Sequence, residues 1–95
     1  MFRITKAFEN SITFIYKIEG KVTDNSIPEW QEELNKLKAE AGFQVILDFS
    51  QVFYISPGAL QALLANMTDQ VYILNCGIEI RNVLHAFGLA GRMLE

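Results

Sequence analysis

Apolar residues take every second position at the start of this chain and every third or fourth position after it. That change of period limits the fold more than any other feature. Phe2, Ile4 and Phe8 share one phase over residues 2–8, with Arg3 and Thr5 on the other. Residues 11–19 repeat the pattern more strongly, with Ile12, Phe14, Tyr16 and Ile18 in phase. Alternation rich in β-branched and aromatic side chains reads as strand. Glu9-Asn10 reads as a tight hairpin turn between the two strands, because Asn tolerates left-handed backbone angles. Gly20 reads as the end of the second strand.

From residue 26 the period lengthens. Ser26-Ile27-Pro28-Glu29 has the form of a capping box, Ser26 capping the first amides and Glu29 reaching back. Pro28 suits a first turn, where its missing donor has no helical partner. Ile27, Trp30, Leu34, Leu37 and Ala41 then make one apolar stripe, with Trp30 expected in the core. Glu32 and Lys36 pair on the wet side, and Gly42 stops the helix. Residues 43–49 are nearly all apolar, as a central strand requires, and residues 50–54 read as a short connection. Ser56 caps a second helix with Pro57 at its first position, and Leu60, Leu63, Leu64 and Met67 form its buried stripe. After a turn at residues 68–70, residues 71–76 read as a fourth strand. Gly77 leads into a third helix with Ile80, Val83, Leu84 and Phe87 in phase, loosened at its end by Gly88 and Gly91.

The order β-β-α-β-α-β-α predicts an α/β fold with a small mixed four-stranded sheet and three main helices. The first two strands pair antiparallel, and the later ones pair parallel through right-handed crossovers. Ile15 and Ile46 occupy the strand phase opposite the core residues. They project from the sheet's other face if helices cover only one, which makes a second copy of the chain a candidate partner. A length of 95 residues fits one domain over 1–95, without repeat or linker. Leu94-Glu95 reads equally as native sequence or as an appended pair.

Composition narrows the function. Apolar residues make up 51% of the chain and charged residues 20%, which suits a packed globule and not a disordered one. A net charge of −3 opposes a generic nucleic-acid binder, and the basic pair Lys36 and Lys38 sits among acidic residues as a solvated helix face. Apolar runs such as residues 45–47 and 71–74 are far too short to span or insert into a bilayer. No secretory signal opens the sequence, and a single cysteine excludes an internal disulfide. The expected compartment is the cytoplasm.

Little points to catalysis. Asp48 and Asp24 are the candidate carboxylate pair, but no nucleophile or base accompanies them. Asp48 reads instead as a strand-ending Asp that satisfies backbone amides. The lone His85 has no metal set around it and reads as a helix-surface residue. Cys76 reads as a small core residue, with a thiol activated by the helix start at Gly77 as the alternative. No Gly-rich phosphate loop is present. No catalytic residue, metal or cofactor is expected, and a small nucleotide-binding protein ranks below a protein-binding module.

The segment from Val45 to Leu60 carries Asp48-x-Ser50-x-Val52, then Tyr54 and Ile55, then a Ser/Gly-containing stretch that opens a Leu-rich helix. In this it resembles the STAS family of anti-sigma-factor antagonist domains. Ile18-Glu19-Gly20 and Phe87-Gly88-Leu89 extend the resemblance over nearly the whole chain. It implies a non-catalytic interaction module in a regulatory partner switch, whose partner is an anti-sigma factor or serine-kinase switch protein. It places partner contacts on Ser56, Pro57, Gly58 and Ala59, with Asp24, Asn25 and Asp48. An accessory subunit of a membrane transporter complex and a stress-signalling scaffold are alternative roles within the family.

The sequence departs from the family at the switch. Register against Asp48 puts Pro57 and Gly58 on the two hydroxyl positions that include the phosphoacceptor, and neither can take phosphate. Thr23 stands where the family often has an acid, with Asp24 one position late. Ser56 is the one remaining hydroxyl there, and it reads either as phosphoacceptor or as the helix N-cap. The expectation is a partner switch without the usual serine phosphorylation.

Overall fold

In the computed structural model, which describes residues 1–39 and 42–94, the two alternating segments pair antiparallel as β1 (Phe2–Glu9) and β2 (Thr13–Val22). Then follow α1 (Ile27–Lys38), β3 (Gln44–Ile55), α2 (Pro57–Ala65), β4 (Val71–Leu74), α3 (Ile78–Ala86) and β5 (Met93–Leu94). The sheet order is β1-β2-β3-β4-β5, parallel from β2 onward. It has five strands where periodicity predicts four. The additional β5 is two residues long, too short for any alternation to register. Ala41, the last member of the expected α1 stripe, and Glu95 lie outside the described residues.

Buried residues of all three helices, Trp30, Leu34, Leu63, Ile80 and Leu84 among them, join one core with Ile18, Val45, Leu47 and Ile73 from the strands. The helices therefore cover one face of the sheet. In the other phase β2, β3 and β4 set Ile15 beside Ile46 and Ile46 beside Tyr72, all half-buried. This is the face the sequence assigns to Ile15 and Ile46.

Several local expectations are corrected. A register shift between Lys6 and Phe8 flips β1, so Phe8 pairs with Ile15 and is exposed instead of sharing the phase of Phe2 and Ile4. Asn10 shapes the hairpin through its side chain: Oδ1 accepts from the backbone N–H groups of Ile12 (2.9 Å) and Thr13 (2.8 Å), and its own φ is not positive. Ile12 belongs to that turn and is exposed. Gly20 does not end β2 but bends it at a φ of +99°, next to a register shift with β3. Phe87 lies past the end of α3 and is exposed.

The largest correction concerns residues 50–54, which are strand and not connection. β3 runs 12 residues, and two bulges against β2 (between the Lys17 and Glu19 pairs, and between those of Gly20 and Lys21) absorb two extra residues. β4 stops earlier than expected. It pairs only with residues 45–48, and the chain leaves the sheet at Asn75, whose φ is +59°.

The entry to α1 also differs. A 3-10 turn over Asp24–Ser26 precedes the helix, so Ser26 already has helical backbone angles and makes no capping bond. Its hydroxyl lies 3.4 Å from that of Thr23 instead. Capping needs an extended residue whose side chain folds back over the first turn, and Thr23 holds that extended position ahead of the 3-10 turn.

Candidate functional site

β3 delivers the chain to the start of α2 at the carboxyl end of the parallel strands, where open α/β sheets usually bind their ligands. Ser56 closes the strand and opens the helix. Its N–H donates to the Val22 carbonyl at 2.8 Å, and its carbonyl accepts from Leu60 N–H at 2.8 Å. Its Oγ accepts from the Ala59 N–H at 3.1 Å, the N-cap bond expected of it. These bonds leave Ser56 3% exposed.

Pro57 is exposed at the first helical position and Gly58 is half-buried beside it. The 3-10 turn packs against this tip. A Cβ on Gly58 would stand 3.2 Å from Asp24 Oδ1 and 3.0 Å from Ile27 Cδ1. The Asp24 carboxylate thus lies at the positive end of α2, where a negative charge is stabilised.

Ala59 departs from expectation. The sequence reading puts it on the open surface and gives the buried stripe to Leu60, Leu63, Leu64 and Met67. Ala59 is instead 0% exposed, while Leu60, Leu64 and Met67 are half-buried. The reason is α1: Trp30, itself fully buried, donates its indole Nε1–H to the Ala59 carbonyl at 2.9 Å. Asn66 makes a second tie, its Nδ2 donating to the Ala62 carbonyl at 2.7 Å and to Gln31 Oε1 at 3.4 Å.

The structure therefore brings Ser56, Pro57, Gly58, Ala59 and Asp24 together. Asn25, exposed, lines a separate groove with Phe2 and Glu29. Asp48 is not part of the tip. It neither ends a strand nor meets a helix start, but sits inside β3 on the face away from the helices, eight residues before Ser56. Partial burial pushes its carboxyl up. The Ser50 backbone N–H (2.9 Å) and hydroxyl, the Asn75 amide (3.4 Å) and the Lys17 charge outweigh that and hold it below the usual carboxylate range. Asp24 and Asp48 therefore form no carboxylate pair.

His85 is exposed in the last turn of α3, and Cys76 is buried ahead of that helix, where a thiol is sheltered from reagents. Among the described residues no group of three His, Cys, Asp or Glu side chains is placed to hold a metal ion. Among them, too, no helix is long and apolar enough to cross a membrane.

The sequence reading missed a neighbouring feature. Phe53, Tyr54 and Ile78 are 77%, 47% and 68% exposed. They flank a cleft of about 300 Å³ between the end of β3 and the start of α3. The aromatic pair that closes the apolar strand was its signal in the sequence.

The model of the STAS domain family matches residues 3–93. The chain belongs to the STAS family. Solved structures agree on the fold. One is an anti-sigma factor antagonist from Mycobacterium paratuberculosis, with a TM-score of 0.75 and 14% identity over 98% of this chain and 83% of that one. Another is the phosphorylated form of SpoIIAA, a Bacillus cell fate determinant, with a TM-score of 0.74 and 14% identity over 99% of this chain and 89% of that one. A sulfate transporter family protein from Wolinella succinogenes is less similar, with a TM-score of 0.59 and 17% identity over 85% of this chain and 75% of that one. A search of curated proteins returned no sequence match. The STAS assignment accounts for the early hairpin and for the β3–α2 junction on which the sequence resemblance rests.

Proposed function

We propose that this STAS domain is a non-catalytic, cytoplasmic protein-binding module of the anti-sigma-factor antagonist type. It docks its partner through the α2 tip at Pro57 and Gly58 with Asp24, the contact extending to the exposed Asn25 next in the 3-10 turn, and it does so without serine phosphorylation. The observation that carries this reading is the tip itself: a rigid helix start that is nearly free of side chains, with Asp24 beside it and its one hydroxyl buried. Ser56 and Ala59 act beneath the surface by holding the tip in place.

The decisive experiment is Pro57→Glu. Its side chain is exposed, and glutamate is well tolerated in a first helical turn. The melting temperature should stay within about 2 °C, since exposed substitutions usually change stability by less than about 0.5 kcal/mol. Affinity for an anti-sigma-factor-type partner captured on the immobilised domain should fall more than about tenfold, or about 1.4 kcal/mol. Unchanged affinity would move the docking surface elsewhere.

Phosphorylation has its own test. Ser56 is buried and its oxygen is engaged by the Ala59 N–H, so a kinase meets no free hydroxyl at the tip. Incubation with the partner serine kinase should leave the intact mass unchanged. A stoichiometric gain of one phosphate at Ser56 overturns that half of the proposal.

Self-association through the open sheet face belongs to the same reading. The cross-strand row Phe8, Ile15, Ile46 and Tyr72 is apolar on four neighbouring strands. If two copies stack there, Ile15→Lys and Ile46→Lys should shift sedimentation from dimer to monomer with the fold intact. Equal sedimentation of parent and variants rules the face out. The likeness to a sulfate transporter family protein favours a second role, as a transporter accessory domain. Co-sedimentation of the tagged domain with membranes separates the two.

A further inference from the structure

The far half of β3 has a strand partner on one side only. β2 follows it as far as the pair Val22 and Ile55, but β4 leaves at the pair Asp48 and Leu74, and no other described strand takes its place. A strand edge left open in this way presents unpaired backbone donors and acceptors, and proteins commonly blunt such edges with charge or proline. Residues 49–55 contain neither. The edge borders the cleft of about 300 Å³ whose other wall is the start of α3, and Phe53, Tyr54 and Ile78 stand exposed around it. Glu79 supplies the one charge among the residues lining the cleft.

We infer that the open edge of β3 at residues 49–55 takes up an extended segment of a protein partner as an added strand, apolar at alternate positions and carrying a basic residue opposite Glu79. Backbone hydrogen bonding to the edge supplies affinity in this mode, and pockets for alternate side chains supply selectivity. The spacing fits, because an added strand places every second side chain on the cleft side. The acidic lining selects a cation and disfavours an acidic segment. β3 runs directly into Ser56, so the edge adjoins the α2 tip, yet the inference stands on the edge and cleft alone.

Selection of random capped heptapeptides against the immobilised domain tests it. The expected result is enrichment of peptides with alternating apolar positions and one Lys or Arg. In nuclear magnetic resonance titration of the labelled domain, a selected peptide should shift amides in residues 49–55 and 77–80. N-methylating alternate amides of that peptide should weaken binding more than about tenfold, since an added strand needs those donors. Phe53→Asp should abolish binding and Glu79→Lys should weaken it about fivefold, whereas Pro57→Glu should leave it unchanged. That last arm separates failure at the edge from failure at the α2 tip. Selection of nothing, shifts elsewhere on the domain, or equal binding of the N-methylated peptide overturns the inference. So does a dimer that Phe53→Asp dissolves, which would show a second copy of this chain at the edge.

Discussion

Ala59→Arg should lower the melting temperature by more than about 15 °C. The position looks harmless in the sequence: a small residue in the first turn of an exposed helix tip, where an arginine would serve as a probe of partner contact. In the structure Ala59 is 0% exposed and its carbonyl takes the indole hydrogen bond of Trp30 at 2.9 Å. An arginine there must push α1 and α2 apart and still leaves its guanidinium without a partner beneath the surface. Overpacking alone typically costs about 1–3 kcal/mol, and an unpaired buried charge costs several more. The sum, at least about 4 kcal/mol, is a large share of the roughly 5–15 kcal/mol that holds a small domain folded. Circular dichroism during a thermal melt gives the answer. A cooperative transition within a few degrees of the parent would mean that α2 lifts off Trp30 at little cost, and that the α1–α2 seam is not the rigid base of the tip.

The same seam shows where the sequence was legible and where it was not. The change from period two to longer periods located the hairpin, the three helices and the parallel crossovers, because each follows from which side chains must leave water. Ser56 was readable as an N-cap because cap chemistry is local. Ser26, which also has a proline within two residues, was not, because a preceding 3-10 turn had already given it helical angles. Ala59 was hidden for a different reason. Small side chains carry almost no hydrophobic signal, and its burial is set by a tryptophan 29 residues earlier. Bulges erased phase information in the strands: one put Phe8 on the wrong face, and two concealed that residues 50–54 continue β3. The docking tip was thus visible in outline from Ser56-Pro57-Gly58. The open edge beside it depends on where β4 stops, and nothing within residues 49–55 announces that.

Gly20 and Gly42 offer a paired measurement of a close approach. Both have positive φ, +99° and +90°, so an alanine at either meets the same kind of backbone penalty. Their surroundings differ. A Cβ on Gly42 meets nothing within 4 Å, whereas one on Gly20 would lie 2.6 Å from the Met1 carbonyl oxygen. That oxygen is not free to move, because it accepts the Lys21 N–H at 3.0 Å and so fixes the start of β1 against the bend in β2. Gly42→Ala should therefore cost about 1 kcal/mol, the backbone term alone. Gly20→Ala should cost about 3 kcal/mol, because the added carbon must also break that hydrogen bond and displace backbone. Urea titration of both variants reads the difference. Amide exchange should show the extra loss in β1, which would open ahead of the rest of the sheet. Equal losses at the two glycines would mean that the first residues of β1 shift aside freely, and that the contact between Met1 and Lys21 contributes nothing to holding the hairpin.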